Sequence, residues 1–288
     1  ADRSVQDDDK RTRRPGCGVR SHPPDTAQGR KGTVQVTPAP VRFSTLKAIN
    51  QSPAHYLHAR DTEREATRAM RLGTIVDRQI FGGELVTFGG SRSGKAWEAF
   101  KLEHEGSEIV TAAEVSAARP MAEAIRANPM AMEWLSGTHQ ETLYWTFMGR
   151  ACRSTPDSHN RAKRRVVDLK STRTSDPRWF VRDALRMNYH AQLAFYGMAL
   201  GLTPEDDHVL VAVESSAPYC VTVLRLTERA VIAGRKLCHL WMERLLACEA
   251  ANEWPGYAQS IVDFDVPDEL ELDFGDDEEI ETDEDGEP

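Results

Sequence analysis

Asp157 follows Pro156, and after ten intervening residues comes Asp168-Leu169-Lys170, at the end of the run Arg164-Arg165-Val166-Val167. Side chains two apart on a strand share a face. Asp168 and Lys170 are therefore expected to point together, while Val167 and Leu169 turn to the core. Asp157 falls at or just past the end of the preceding strand. If the two strands pair through the connection at 158–163, the carboxylates converge on an oxygen site suited to Mg2+, with Mn2+ as the alternative. A lysine beside them can orient or deprotonate a water, or neutralise charge on a pentavalent phosphate. That chemistry is metal-dependent phosphodiester hydrolysis. D-x-K on a strand is also what an ordinary surface ion pair looks like, so the pattern needs support from other residues.

Three features supply it. Gln192 and Tyr196 lie four apart on the helix after this strand and share its face, with Tyr189 three before Gln192; core packing is the blander account of these rings. Glu141 opens the strand before Asp157 and could reach the metal, or could simply be an exposed strand end. In Leu72-Gly73-Thr74-Ile75-Val76-Asp77, an acidic side chain follows a small Gly-Thr pair. Asp77 could supply another ligand, or be a solvated helix residue.

These residues need elements to carry them. Residues 43–60 read as two short helices divided at Pro53, and 62–83 as a helix with an apolar stripe through Ala66, Met70, Gly73, Val76 and Ile80. Residues 94–104 and 111–136 read as further helices, broken at Pro120 and Pro129. The period then changes from 3.6 to 2: segments 141–147, 149–155 and 164–171 read as three strands joined by short turns. One long helix is expected from the Asp176 cap and Pro177 onward. A hairpin follows (208–215 and 219–226), then a last helix from Thr227. The order α, βββ, α, ββ, α makes an α/β (α+β) fold, a central mixed sheet flanked by helices with an extra helical N-terminal piece. Residues 1–41 and the acidic segment 263–288 lack apolar periodicity and read as disordered, leaving 42–262 as the folded domain.

The net charge of −9 conceals an asymmetry. Residues 263–288 hold 15 acidic residues and no Lys or Arg, and the remainder carries 36 basic against 30 acidic residues, or +6. A mildly basic body suits contact with a polyanion, although solubility alone explains such a tail. No run approaches the ~20 apolar residues of a membrane span, and no apolar signal-peptide core opens the chain. The five cysteines, Cys17, Cys152, Cys220, Cys238 and Cys248, form no C-x-x-C. Reduced thiols in the cytoplasm are expected, with neither a zinc ribbon nor an iron–sulfur site. Phosphate-loop and dinucleotide-binding patterns are missing.

The spacing Pro156-Asp157, ten residues, Asp168-Leu169-Lys170 resembles the PD-(D/E)xK nuclease signature, and Gln192-x-x-x-Tyr196 is similar to the Q-x-x-x-Y motif of its RecB-like branch. Within that branch, FSTLKAINQSPAHY (43–56), MRLGTIVD (70–77), DLKST (168–172) with NYHAQLAFYGMAL (188–200), and EWPGY (253–257) most resemble the RecE-type, exonuclease VIII-like enzymes of phages and prophages. The resemblance covers about residues 43–257. It implies a restriction-endonuclease-like core with a helical N-terminal extension. It implies that Asp157 and Asp168 ligate the metal, that Lys170 serves the attacking water, and that Gln192 and Tyr196 position DNA or the lysine. Glu141 matches an acidic residue at the start of the sheet. Where the family commonly has a histidine ligand, this chain has Asp77, which can still bind Mg2+. The implied activity is a DNA exonuclease acting on linear duplex in phage-type recombination or end resection. The implied partners are DNA, a single-strand annealing protein and further copies of the chain in a ring. The alternatives are an endonuclease or single-strand nuclease of the same fold, and a DNA-binding module whose metal site has decayed.

Overall fold

The computed structural model describes residues 39–62, 66–258 and 260–265. The disorder expected over 1–41 and 263–288 thus falls almost wholly outside the described residues. In order, the chain forms β1 (Val41–Arg42), α1 (Phe43–Leu46), a 3-10 turn (Lys47–Asn50), α2 (Pro53–Asp61), α3 (Arg68–Phe81), β2 (Val86–Phe88), α4 (Gly94–Glu103), β3 (Ile109–Thr111), α5 (Ala112–Ala127) and α6 (Pro129–Leu135). There follow β4 (Thr138–His139), β5 (Leu143–Phe147), β6 (Arg150–Ser154), β7 (Ser158–Asn160), β8 (Arg165–Thr172), α7 (Pro177–Arg186), α8 (Tyr189–Ala199), β9 (Asp207–Glu214), β10 (Val221–Arg225) and α9 (Glu228–Ala251). No helix among the described residues is long and apolar enough to cross a membrane.

Side-chain caps set most helix starts. Ser52, Thr67, Asn128, Asp176 and Thr227 each accept a backbone N–H from the first turn of α2, α3, α6, α7 and α9, at 2.9–3.3 Å. Pro53, Pro129 and Pro177 occupy first helical positions, where a missing N–H costs nothing. Thr111 and Glu114 form a reciprocal capping box on α5.

Three expectations are corrected. Pro120 does not break its helix: α5 runs through it, because Ala118, Met121, Ala122 and Ile125 are fully buried around it and their packing outweighs the lost backbone bond. The long helix after Asp176 is two helices, separated where Asn188 takes a left-handed conformation (φ 61°) that asparagine tolerates better than most residues. The three strands over 141–171 do not make one meander. β5 and β6 pair with each other and with β1, in the order β1-β6-β5, while β8 belongs to a separate five-stranded sheet, β10-β9-β8-β7-β4. The short strand β7 lies within the stretch expected to be a connection.

The five-stranded sheet is mixed. β8 and β9 run parallel over the full length of both strands, joined by a crossover through α7 and α8; β7–β8 and β9–β10 are antiparallel. β8 is buried on both faces. Val167 and Leu169 pack with Val209, Val211 and Val213 against Ile75 and Val76 of α3 and Met121 and Ile125 of α5. Val166, on the other face, packs with Phe180 of α7 and Leu193 of α8. Alternation puts Asp168 and Lys170 on the face of Val166, toward α8. A second core joins α1, α8 and α9 to the three-stranded sheet through Phe43, Phe195 and Trp241.

After α9 the chain returns to α2. Trp254 stacks on Tyr56 (centroids 5.7 Å, 9° between planes), and Ala54 N–H donates to the Pro255 carbonyl at 3.1 Å. Residues Ala39–Arg42 border the same helix across a cavity of about 560 Å³ that Tyr56 and Arg60 help to line.

Candidate active site

The pairing of β7 with β8 sets Ser158 opposite Val167 and His159 opposite Val166. One step further along that register, Asp157 stands across from Asp168. The Leu169 N–H donates to Asp157 Oδ2 at 2.7 Å, which fixes the first carboxylate against the strand of the second. The Lys170 ammonium pairs with Asp168 Oδ2 and lies 4.8 Å from the Tyr189 ring centroid. On the next turn of α8, Gln192 Nε2 donates to Tyr196 Oη at 2.9 Å, leaving the phenol's own hydrogen to point elsewhere. The Asn188 break ahead of α8 sets the direction from which these side chains approach β8.

Asp77 arrives from the opposite layer. Gly73 lets α3 lie close to β8: a Cβ there would sit 3.3 Å from Ser171 Oγ. Asp77 is one turn on, along the same helix face. Arg78 Nη1 then donates to Gln140 Oε1 at 3.1 Å, and Gln140 N–H donates to the Asp157 carbonyl at 3.1 Å. Glu114 of α5 holds α3 from behind through Arg71, at 2.7 Å.

The charges of this group act on one another. Burial pushes the Asp77 carboxyl up to about 7, Asp168 adds to the rise, and Lys170 opposes it. Burial likewise lifts Asp157 well above the usual carboxylate range, helped by Asp168 and Asp77 and resisted by Lys170 and the Leu169 N–H. Burial works against the Lys170 charge, yet Asp168 and Asp157 outweigh it and hold the ammonium above an ordinary lysine. Tyr196 is raised by burial and then by Asp168. Asp77, Asp157, Asp168 and Lys170 therefore form one electrostatic unit, with three carboxylates against one ammonium.

The structure does not bring Glu141 into that unit in the same way. Its carboxylate is directed at His159 Nε2, 2.7 Å away, and at Arg161. Sequence reasoning does not single out His159. It is buried, lies two beyond Asp157 on the same strand face, and its Nδ1 has no hydrogen-bond partner. The spacing of two from Asp157 is the signal that could have found it.

Carboxylate oxygens are hard donors, and the raised Asp77 and Asp157 mark negative charge that a divalent cation would neutralise. In chemistry, the residues present fit Mg2+ or Mn2+. Among the described residues, no group of three or more His, Cys, Asp or Glu side chains is already gathered as a metal site.

Asp157 just ahead of β7, Asp168 and Lys170 on β8, and the Gln192–Tyr196 pair on the crossover helix are thus brought to one place in the fold. The family described as a PDDEXK-like domain of unknown function (DUF3799) matches residues 42–263, and the chain belongs to it. The domain is accordingly of nuclease type. A crystal structure of a candidate exonuclease from Eubacterium rectale is similar in fold, with a TM-score of 0.56 at 16% identity, covering 79% of this chain and 91% of that one. A phage-related exonuclease from Haemophilus somnus 129PT aligns over 73% of this chain and 96% of its own, at 12% identity and a TM-score of 0.32. No curated protein matches the chain significantly.

Proposed function

We propose that the protein is a metal-dependent deoxyribonuclease, an exonuclease that hydrolyses phosphodiester bonds of linear duplex DNA. The observation that carries the reading is Asp157 facing Asp168 across β7–β8, with Lys170 bound to the second carboxylate. Asp157 and Asp168, with Asp77 alongside, would hold Mg2+ or Mn2+. The ion, when bound, supplies a Lewis acid for the phosphate and lowers the pKa of a water. The chain's residues do the rest. Lys170, held charged by two carboxylates, places a proton donor and a positive charge beside the scissile phosphate. Gln192 fixes the Tyr196 ring, whose hydroxyl hydrogen is available to a phosphate oxygen or to a water. Glu141, proposed as a further metal ligand, also contacts His159 Nε2 and would hold that ring beside the site.

Recombination or end resection is the setting we infer, with DNA as substrate, a single-strand annealing protein as partner, and several copies of the chain around the duplex. The motif resemblance to RecE-type enzymes supports these points. The deciding experiment is digestion of end-labelled linear and covalently closed circular DNA with Mg2+, Mn2+ or chelator. Metal-dependent loss of the linear form alone is expected. Nicking or linearisation of the closed circle would make the enzyme an endonuclease, and no cleavage in either metal would leave a DNA-binding module.

A further inference from the structure

The helix that follows the catalytic strand has an outer face that nothing in the site uses. On α7, Phe180 and Ala184 are buried, and Phe180 meets the Tyr189 ring at 6.4 Å, the same ring that Lys170 overlies. The opposite face carries Arg178, Arg182 and Arg186 at spacings of four, one stripe along a helix. Beside the stripe Trp179 is 56% exposed. An exposed indole costs solvation unless something covers it, and here the Arg182 guanidinium lies 5.2 Å from its centroid. Arg178 and Arg186 lean on Asp176 (2.5 Å) and Asp183 (3.2 Å). Both pairs are at the surface, where such bridges contribute little and are readily exchanged for another anion. At its C-terminal end the stripe opens on a trough of about 580 Å³, which Arg186 and Asn188 line together with Lys47 and His58.

We propose that this face of α7 is a binding track for a single-stranded segment of nucleic acid, its phosphates on Arg182 and Arg186 and one unstacked base on Trp179. The inference rests on the nuclease reading of the site and names where the substrate lies beyond it. Arginines repeating along one face beside a flat, exposed ring are the two elements of sequence-tolerant strand binding: charge for the backbone and a stacking platform for the base. A protein partner would also accept tryptophan and arginine. The charge favours a polyanion, because the arginines form the unbroken stripe while the exposed aliphatics, Val181 and Leu185, lie to one side of it.

The test measures anisotropy of labelled single-stranded and overhang-bearing DNA in chelator, where no strand is cut, against the full-length protein and its variants. Trp179→Ala should weaken binding by ~5-fold or more with the salt dependence kept. Arg182→Ala with Arg186→Ala should flatten the plot of log affinity against log salt by roughly one unit for each phosphate that an arginine had neutralised. Circular dichroism and the unfolding midpoint of each variant check that α7 is intact, and Trp179→Phe should recover part of the affinity. Unchanged affinity and salt slope in both variants overturn the inference. So does a shift in oligomeric state on gel filtration with DNA binding unaffected, which would make the face an interface between copies. Cleavage by the wild-type protein is scored separately: if it cuts DNA while the α7 variants bind normally, only this inference falls, and if it neither cuts nor binds, the nuclease reading falls with it.

Discussion

The Leu169 amide donates to Asp157 across the β7–β8 pair at 2.7 Å, so the backbone of the strand that carries Asp168 and Lys170 also positions the other aspartate. The bond uses one carboxylate oxygen, Oδ2, and leaves Oδ1 for a cation. The same contact makes Asp157 easier to ionise than its burial alone would allow, since the N–H favours the charged form.

Asp157→Asn and Asp168→Asn should each abolish DNA hydrolysis; the unfolding midpoint should hold in Asp157→Asn, whose carboxyl burial already disfavours as an anion, and fall in Asp168→Asn, which leaves the buried Lys170 without its direct partner. Lys170→Ala should lower the rate roughly 100- to 1,000-fold, as removal of one preorganised charge does, with metal affinity less affected. Initial rates on linear duplex, beside metal titrations by calorimetry, check this. Cleavage by Asp168→Asn at the parent rate would place the active site elsewhere.

Stability should depend on pH through Asp77. Its folded pKa of about 7 lies above the ~3.9 of an unfolded aspartate. Between those values the folded protein holds a proton that the unfolded chain has released. The contribution is therefore full below about pH 4 and is lost as pH rises toward 7. Asp157 shifts in the same direction and adds to the loss. Mg2+ or Mn2+ binds only the ionised carboxylates of the folded state and should reverse the decline. Melting curves from pH 4 to 8 with and without metal test it, and Asp77→Asn should flatten the metal-free profile. An identical pH slope in Asp77→Asn would count against the burial assigned to this carboxyl.

Gly73→Ala separates stability from geometry. Alanine suits a helix interior better than glycine by about 1 kcal/mol, but the added methyl would stand 3.3 Å from Ser171 Oγ and press α3 off β8. The midpoint should change little while activity falls by roughly 10-fold, through displacement of Asp77. Adding Ser171→Ala removes the atom it meets and should restore most of the rate. A double variant as slow as Gly73→Ala alone would show that the contact does not set the position of Asp77.

Truncation after Val262 removes the 15 acidic residues of 263–288 from a body of charge +6. A tethered polyanion competes with DNA for a basic surface at high effective concentration. The shortened protein should bind DNA more tightly at low salt, with the difference vanishing as salt screens it. Equal affinities at low and moderate salt would leave the segment as a solubilising tail or a docking site for a partner.

The local parts of this fold are legible in the sequence. Asp176 and Thr227 announce their helices, and the spacing from Asp157 to Lys170 announces the candidate site, because caps and strand alternation are decided within a few residues. What depends on distant partners is not legible. Nothing near residues 141–154 says that β5 and β6 join β1 in a sheet of their own. Three-residue β7 is too short to show a period, and the left-handed turn at Asn188 is a choice that packing makes. The contact of Glu141 with His159, two residues beyond Asp157, is likewise a pairing that the chain position of Glu141 does not announce.

The stacking of Trp254 on Tyr56 ties the segment after α9 to α2, and Ala39, the first described residue, borders that same helix. The first described residues and the segment after α9 thus both lie along α2. A linker from Tyr257 to Ala39 would join these ends, with new ends cut into an exposed connection such as that between α4 and β3, and every element that carries the candidate site would keep its neighbours. The order in which the elements are threaded is then separable from the order in which they pack, and a cyclic permutant is a natural scaffold for moving the acidic segment to a different point on the surface.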